Sequence, residues 1–292
     1  MNGTPWWLKI AAKIFLSRLP VGYKFWNRLR LFRHGNMDNS WLAANKFILH
    51  LDRAYPDNRP DHFTCLELGP GDSLVTGILA NALGASEGYL VDVGSYATEE
   101  LSYYRSFCQE LKKRDFKVPD LSGVNSFLEL QKQCRIKYKV NGLDDLRRIP
   151  SNSIDLIWSH SMLEHVRKRE FPALVSELRR IISDKGIVTH NADLKDHLGG
   201  ALNNLRFSES IWESDFMAKS GFYTNRLQHR DILEYFINAG FEVITDEVGR
   251  WPMLPTPWVH IDKQFKAVPE EEISIRSFHI TLRPSVQQTD SQ

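Results

Sequence analysis

Residues 61–92 read DHFTCLELGPGDSLVTGILANALGASEGYLVD. Phe63-Thr-Cys-Leu-Glu-Leu68 is a short, mostly apolar run, the pattern of a strand buried within a parallel sheet. A glycine turn, Gly69-Pro-Gly-Asp-Ser73, follows at once and leads into Leu74–Leu83, whose apolar residues recur at helical spacing up to Gly84, a C′ glycine. Glycines let a backbone approach a ligand closely, and a helix N-terminus presents unpaired N–H groups. Strand, turn and helix together therefore form a nucleotide-recognition unit. Gly88-Tyr-Leu-Val91 reads as a second strand that ends on Asp92. An acid about 20 residues past such a turn can take both hydroxyls of a ribose.

Two features choose among nucleotides. A dinucleotide fingerprint requires G-x-G-x-x-G, but Leu74 stands where its last glycine would be. Glu67, just before the turn, would repel phosphates and attract an ammonium or sulfonium group. Further on, Tyr138-Lys-Val140 reads as a third strand followed by Asn141-Gly-Leu-Asp-Asp145, and Ile154-Asp-Leu-Ile-Trp158 as a fourth followed by the loop Ser159-His-Ser-Met162. Asp144 and Asp145 also suit a second role, favouring a helix N-terminus through its dipole.

Glu67-Leu-Gly-Pro-Gly71, Asp92 and Ser153-Ile-Asp-Leu-Ile-Trp-Ser-His-Ser-Met-Leu-Glu-His165 resemble the ordered motifs of class I S-adenosylmethionine-dependent methyltransferases. Within them the chain is similar to the type 11 methyltransferase-domain group found with bacterial surface-polysaccharide pathways. The resemblance implies an α/β fold: a doubly wound, Rossmann-like, seven-stranded sheet with a final antiparallel strand and helices on both faces. It also implies S-adenosyl-L-methionine as cofactor. Glu67, Gly69 and Gly71 would line its methionine and ribose part, Asp92 would hold the ribose hydroxyls, and Leu143 and Asp144 would meet adenine. Ser159 and His160 would face both cofactor and substrate. Glu164 and His165 belong to the same match, with His165 expected to tie the loop in place. Ser73 departs from the pattern, which usually has a third small glycine there.

The remaining segments continue the alternation. Phe171–Ile182 reads as a helix, Ile187–His190 as a strand, Asp231–Ala239 as a helix closed by Gly240, Phe241–Thr245 as a strand, and Ile273–Leu282 as a final half-buried strand. Ligands in such sheets bind at the carboxyl ends of the strands. His190-Asn-Ala-Asp-Leu-Lys-Asp-His197 follows the fifth strand directly, where substrate-facing groups are expected. Methyl transfer needs an aligned, desolvated nucleophile and, for a hydroxyl, a proton acceptor. His190 with Asp193, or His197 with Asp196, would serve, and the same residues would equally tie down the loop. They lack the i, i+4 histidine pair of a strong metal motif, so no metal site is assigned. Residues 191–226 are expected to form a lid. Its asparagines, arginines and aromatics, Trp212, Phe222 and Tyr223 among them, suit either sugar binding or a small satellite core.

Residues 1–60 read as a basic amphipathic helical extension to a methyltransferase domain at 61–292. Between Trp6 and Arg33 lie seven basic residues and no acidic one. Without them the chain has 30 basic and 36 acidic residues, a net charge of −6 against +1 for the whole. Leu8, Ala11, Ala12, Phe15, Leu16 and Leu19 share a helix face, and Lys9 and Lys13 break any secretory apolar region. The stretch is expected either to lie on an anionic membrane or to pack on the protein's own core. Balanced total charge excludes an overall nucleic-acid binder, and Cys65, Cys108 and Cys134 suit buried thiols in the cytoplasm. The chain is accordingly expected to be a cytoplasmic enzyme, peripheral on the inner face of the membrane. It would methylate a glycan or lipid-linked sugar, with a small soluble acceptor as the second enzymatic reading. A non-catalytic binding module is the alternative outside enzymes.

Overall fold

The computed structural model describes residues 5–18 and 39–285. Seven strands form one sheet of order β3-β2-β1-β4-β5-β7-β6. They are β1 (Phe63–Leu68), β2 (Ala85–Val91), β3 (Ile136–Lys139), β4 (Ile154–His160), β5 (Ile182–Asp193), β6 (Phe241–Arg250) and β7 (Ile275–Pro284). Pairs β1–β2, β1–β4, β2–β3 and β4–β5 are parallel, and β7 runs antiparallel to both β5 and β6. The expected doubly wound sheet is present, with its antiparallel strand second from the edge. The chain leaves β1 toward β2 and β3, then crosses back to β4 on the other side of β1. This reversal opens a crevice at the carboxyl ends of β1 and β4.

Helices cover both faces. Before the sheet come α1 (Trp6–Ser17) and α2 (Ser40–Ala54), and α3 (Val75–Ala82), α4 (Leu101–Lys112), α5 (Phe127–Gln133) and the single turn α6 (Leu143–Leu146) follow. Phe47 and Leu51 of α2, Ile78 and Leu79 of α3, and Tyr104 and Phe107 of α4 pack with Cys65 and Trp158 on one face. On the other, α7 (Phe171–Ile181) and α8 (His229–Asn238) bury Leu174, Leu178, Ile232 and Phe236 against Leu66, Ile157 and Val188. Alternating strand residues thus feed opposite cores. Helix α2 begins at the cap Asn39, whose side chain accepts from the Leu42 N–H at 3.1 Å. It buries Ala43, Phe47, Leu51 and Ala54 in the same core as β1. Residues 40–54 therefore pack in the same core as the first strand.

The segment after β5 forms its own small core of Leu198, Trp212, Met217, Phe222 and Tyr223, closed by Ile10 of α1 with Trp6 and Ile14 beside it. Trp212, Phe222 and Tyr223 are buried here, so the satellite-core alternative describes them. Asp196 organises the start of this lid. Its carboxylate accepts from the backbone N–H groups of Leu198, Gly200, Ala201 and Asn203 and from the Asn203 side-chain amide, at 2.7–3.1 Å. Asp196→Ala would strand several buried donors, so a loss of about 3–5 kcal/mol is expected, read as a melting temperature lowered by roughly 6–12 °C. An unshifted melt would show that the loop is held by something else. Among the described residues no helix is long and apolar enough to cross a membrane.

Candidate functional site

The β1 end carries the glycine turn. Gly69 and Gly71 adopt φ of +72° and +67°, conformations that disfavour side chains. A Cβ on Gly69 would lie 2.8 Å from Met162 Cγ, because the loop after β4 packs directly on the turn. The missing third glycine is replaced in function by Gly77, one turn into α3, where a Cβ would meet Ile136 and Leu90 at 2.9–3.1 Å. Close helix-to-strand packing is thus achieved despite Ser73 and Leu74.

Asp92 stands across the turn at the end of β2. Its carboxylate accepts from the Gly71 N–H at 3.1 Å and the Val93 N–H at 2.7 Å. Its backbone is stitched to β3 and the following turn, donating to the Lys139 carbonyl and accepting from the Gly142 N–H, both at 2.8 Å. Tyr138 pins the loop after β2: its hydroxyl accepts from the Tyr96 and Ala97 N–H groups and donates to the Gly94 carbonyl. Hydrogen bonds therefore join the glycine turn, Asp92 and the Gly142 turn at the carboxyl ends of β1, β2 and β3.

Glu67 differs from its expected state as an anion beside the turn. It is buried and takes a hydrogen bond from the Thr76 hydroxyl on α3. Burial pushes its pKa up to about 8, with Thr76 opposing the shift. Desolvation outweighs the single hydrogen bond, so the group holds the turn's underside as a carboxylic acid near neutrality. Around the adenine position, Asp145 rather than Asp144 is the keystone. Asp145 is buried and accepts from the Val140 and Asn141 N–H groups and the Asn141 amide. Asp144 is exposed and paired with Arg147 at 3.0 Å. Leu143 is half-buried at the start of α6.

Ser159 and His160 point to opposite faces of β4. Ser159 is fully buried with its hydroxyl 2.7 Å from His190 Nδ1. His160 is half-buried over the other face beside His50 of α2, with 3.4 Å between ring nitrogens. His50 in turn contacts Thr189 and packs near His279, their ring centroids 4.9 Å apart. Lys46, also on α2, acts electrostatically on both Glu67 and His160. The sequence singled out neither Lys46 nor His50. The Asn39 cap and the apolar spacing after it were the available signal.

The expected His190–Asp193 pair does not form. The two residues are three apart on β5, so their side chains leave opposite faces. His190 lies within the apolar core, 5.3 Å from the Phe236 ring, and burial pushes its pKa down to about 3. Asp193 binds Lys195 through its backbone N–H and its ammonium. His197 does not pair with Asp196, whose oxygens are taken by its own loop. Instead its ring packs against His165, centroids 4.7 Å apart.

Residues 66–189 match the family model described as a methyltransferase domain. No curated protein matches the chain. Similar solved structures include an S-adenosylmethionine-dependent methyltransferase from Mesorhizobium loti, 17% identical, covering 85% of this chain and 99% of that one at a TM-score of 0.45. Geranyl diphosphate C-methyltransferase from Streptomyces coelicolor is 14% identical, with 84% and 79% covered at 0.46. A phosphoethanolamine N-methyltransferase from Haemonchus contortus is 15% identical, with 83% of this chain and 53% of that one covered at 0.45. The matched methyltransferase domain spans the glycine turn, Asp92 and the loop after β4, and it marks the chain as an enzyme that takes S-adenosylmethionine as cofactor.

Proposed function

We propose that the chain transfers a methyl group to a hydroxyl of a glycan or lipid-linked sugar presented at an anionic membrane surface. The observation that carries this reading is the two-sided placement of α1. Its inner face, Trp6, Ile10 and Ile14, packs on the lid beyond β5. Its outer face leaves Trp7, Leu8 and Phe15 exposed at 57%, 45% and 66%, beside the exposed Phe216 of the lid. The Arg18 guanidinium lies 4.0 Å over the Phe216 ring and donates to its carbonyl. An apolar strip edged by cations suits the headgroup region, and it is fixed to the lid over the acceptor side. Residues 19–33, the rest of the basic stretch, lie outside the described residues.

In this reading Gly69, Gly71, Asp92 and Leu143 cradle S-adenosylmethionine, Glu67 supports the turn from below, and His160 reaches the transfer point from β4. Asp144, paired outward with Arg147, is peripheral. The cofactor supplies an electrophilic methyl group, and the protein aligns the acceptor oxygen in line with it and excludes water. The inward packing of α1 on the lid supports a second reading, a cap over a small soluble acceptor.

Vesicle binding separates the two. With the full chain, vesicles containing anionic lipid are expected to bind at least ten-fold more tightly than neutral ones. The triple variant Trp7→Ser, Leu8→Ser, Phe15→Ser should lose that binding while retaining affinity for S-adenosylhomocysteine. Labelled methyl groups should then appear in lipid-linked sugars from a membrane extract. Equal binding by wild type and variant, with label only in soluble acceptors, would establish the cap instead.

A further inference from the structure

Three segments converge beside the acceptor side of the site: the turn after β4 with Glu164 and His165, the loop after β5 with His197, and the lid with Tyr223. One potential ligand atom from each of Glu164, His165 and His197 lies within 4.8 Å of the others. Glu164 is only 1% exposed, and its two oxygens are unequal. Oε1 accepts from the Asp193 N–H at 3.3 Å, whereas Oε2 is buried with no hydrogen-bond partner. Burying an acceptor without a partner is costly, and a cation removes that cost.

The histidines are arranged accordingly. His165 Nδ1 lies 3.1 Å from the Tyr223 carbonyl. Donation from one ring nitrogen to a backbone carbonyl is the usual partner of a metal-bound imidazole, and it directs the other nitrogen. The His197 ring meets His165 at 78°, and the Lys13 ammonium on α1 holds the His197 carbonyl at 2.9 Å.

We propose that Glu164, His165 and His197 hold a divalent transition-metal ion of the zinc class. Two imidazoles and one carboxylate suit such ions rather than magnesium or calcium, and three protein ligands leave coordination positions open. Resting on the hydroxyl-acceptor reading above, those positions take acceptor oxygens and fix the sugar in register with the methyl donor. Glu164 and His165 lie 33 and 32 residues before His197, and no short motif joins them.

The test uses tag-free, full-length protein stripped with a chelator. Cobalt(II) is titrated by visible absorption, zinc(II) by calorimetry, and S-adenosylhomocysteine is titrated into the same samples. One ion per chain is expected at micromolar affinity or better. His197→Ala and Glu164→Gln should each weaken uptake at least ten-fold, with S-adenosylhomocysteine affinity and melting temperature unchanged. No uptake by the wild type, or equal uptake by both variants, overturns the site. Binding of S-adenosylhomocysteine without the metal sinks this proposal alone. Binding of the metal without S-adenosylhomocysteine supports it and removes the functional reading instead.

Discussion

Lowering the pH from 7 to 5 is expected to cost the fold on the order of 3 kcal/mol, a large part of the stability of many domains. The cause is four imidazoles, His50 of α2, His160 of β4, His190 of β5 and His279 of β7, three of them buried and His160 half-buried. Burial pushes His190 and His279 down to about 3 and His160 to about 4, and holds His50 well below the ordinary histidine value. Neighbouring positive charge adds to this: Arg53 acts on His50 and His279, Lys46 acts on His160, and protonation of one ring opposes that of the next. A folded pKa below the unfolded 6.5 means that only the unfolded chain takes up protons between those values. The stability is therefore complete above about 6.5 and lost as pH falls toward 4. Glu67 works in the opposite sense. Its folded value near 8, shared by the buried Glu164, makes the native state the proton binder between about 4.5 and 8, and the two acids together offset between two and three histidines. Denaturant melts at pH 7, 6 and 5 would read the slope, and His190→Asn should lower it by about one proton. Stability unchanged between pH 7 and 5 would show that these rings are protonated or hydrated in the native state.

How this arrangement escaped the sequence is instructive. Strand β1, its turn and Asp92 were legible because each follows a local rule: an apolar run, glycines where φ must be positive, an acid at the next strand's end. The strand order followed because each remaining segment has its own period. His50, His160 and His279 come from α2, β4 and β7, and only the parallel and antiparallel registers bring them together. The error at His190 and Asp193 has the same origin. Proximity in sequence suggested a pair, but a strand sends residues three apart to opposite faces. Similarly, an acid beside the glycine turn reads as an anion until Thr76 and the α2 packing are known to bury it. The lid misled differently. Its aromatics are indistinguishable by composition from a sugar platform, and only Ile10 of α1 reveals that they had a core to build.

Asp92→Ala is expected to weaken S-adenosylmethionine and S-adenosylhomocysteine binding by at least a hundred-fold in calorimetric titration. The Asp92 carboxylate is oriented by the backbone N–H groups of Gly71 and Val93, one on each oxygen. The ribose diol can therefore be bound by a carboxylate already oriented before the ligand arrives. Two charge-assisted hydrogen bonds at about 1.5–3 kcal/mol each account for a loss of that size. The substitution also frees the Gly71 N–H, so Asp92→Asn should keep part of the turn's geometry and bind at an intermediate level. Asp144→Ala supplies the contrast. Its carboxylate faces solvent and Arg147, an exposed pair worth little, so affinity should change less than about three-fold. Micromolar binding retained by Asp92→Ala would move the ribose elsewhere. A large loss in Asp144→Ala would place adenine over α6, with the Arg147 pair opening to admit it.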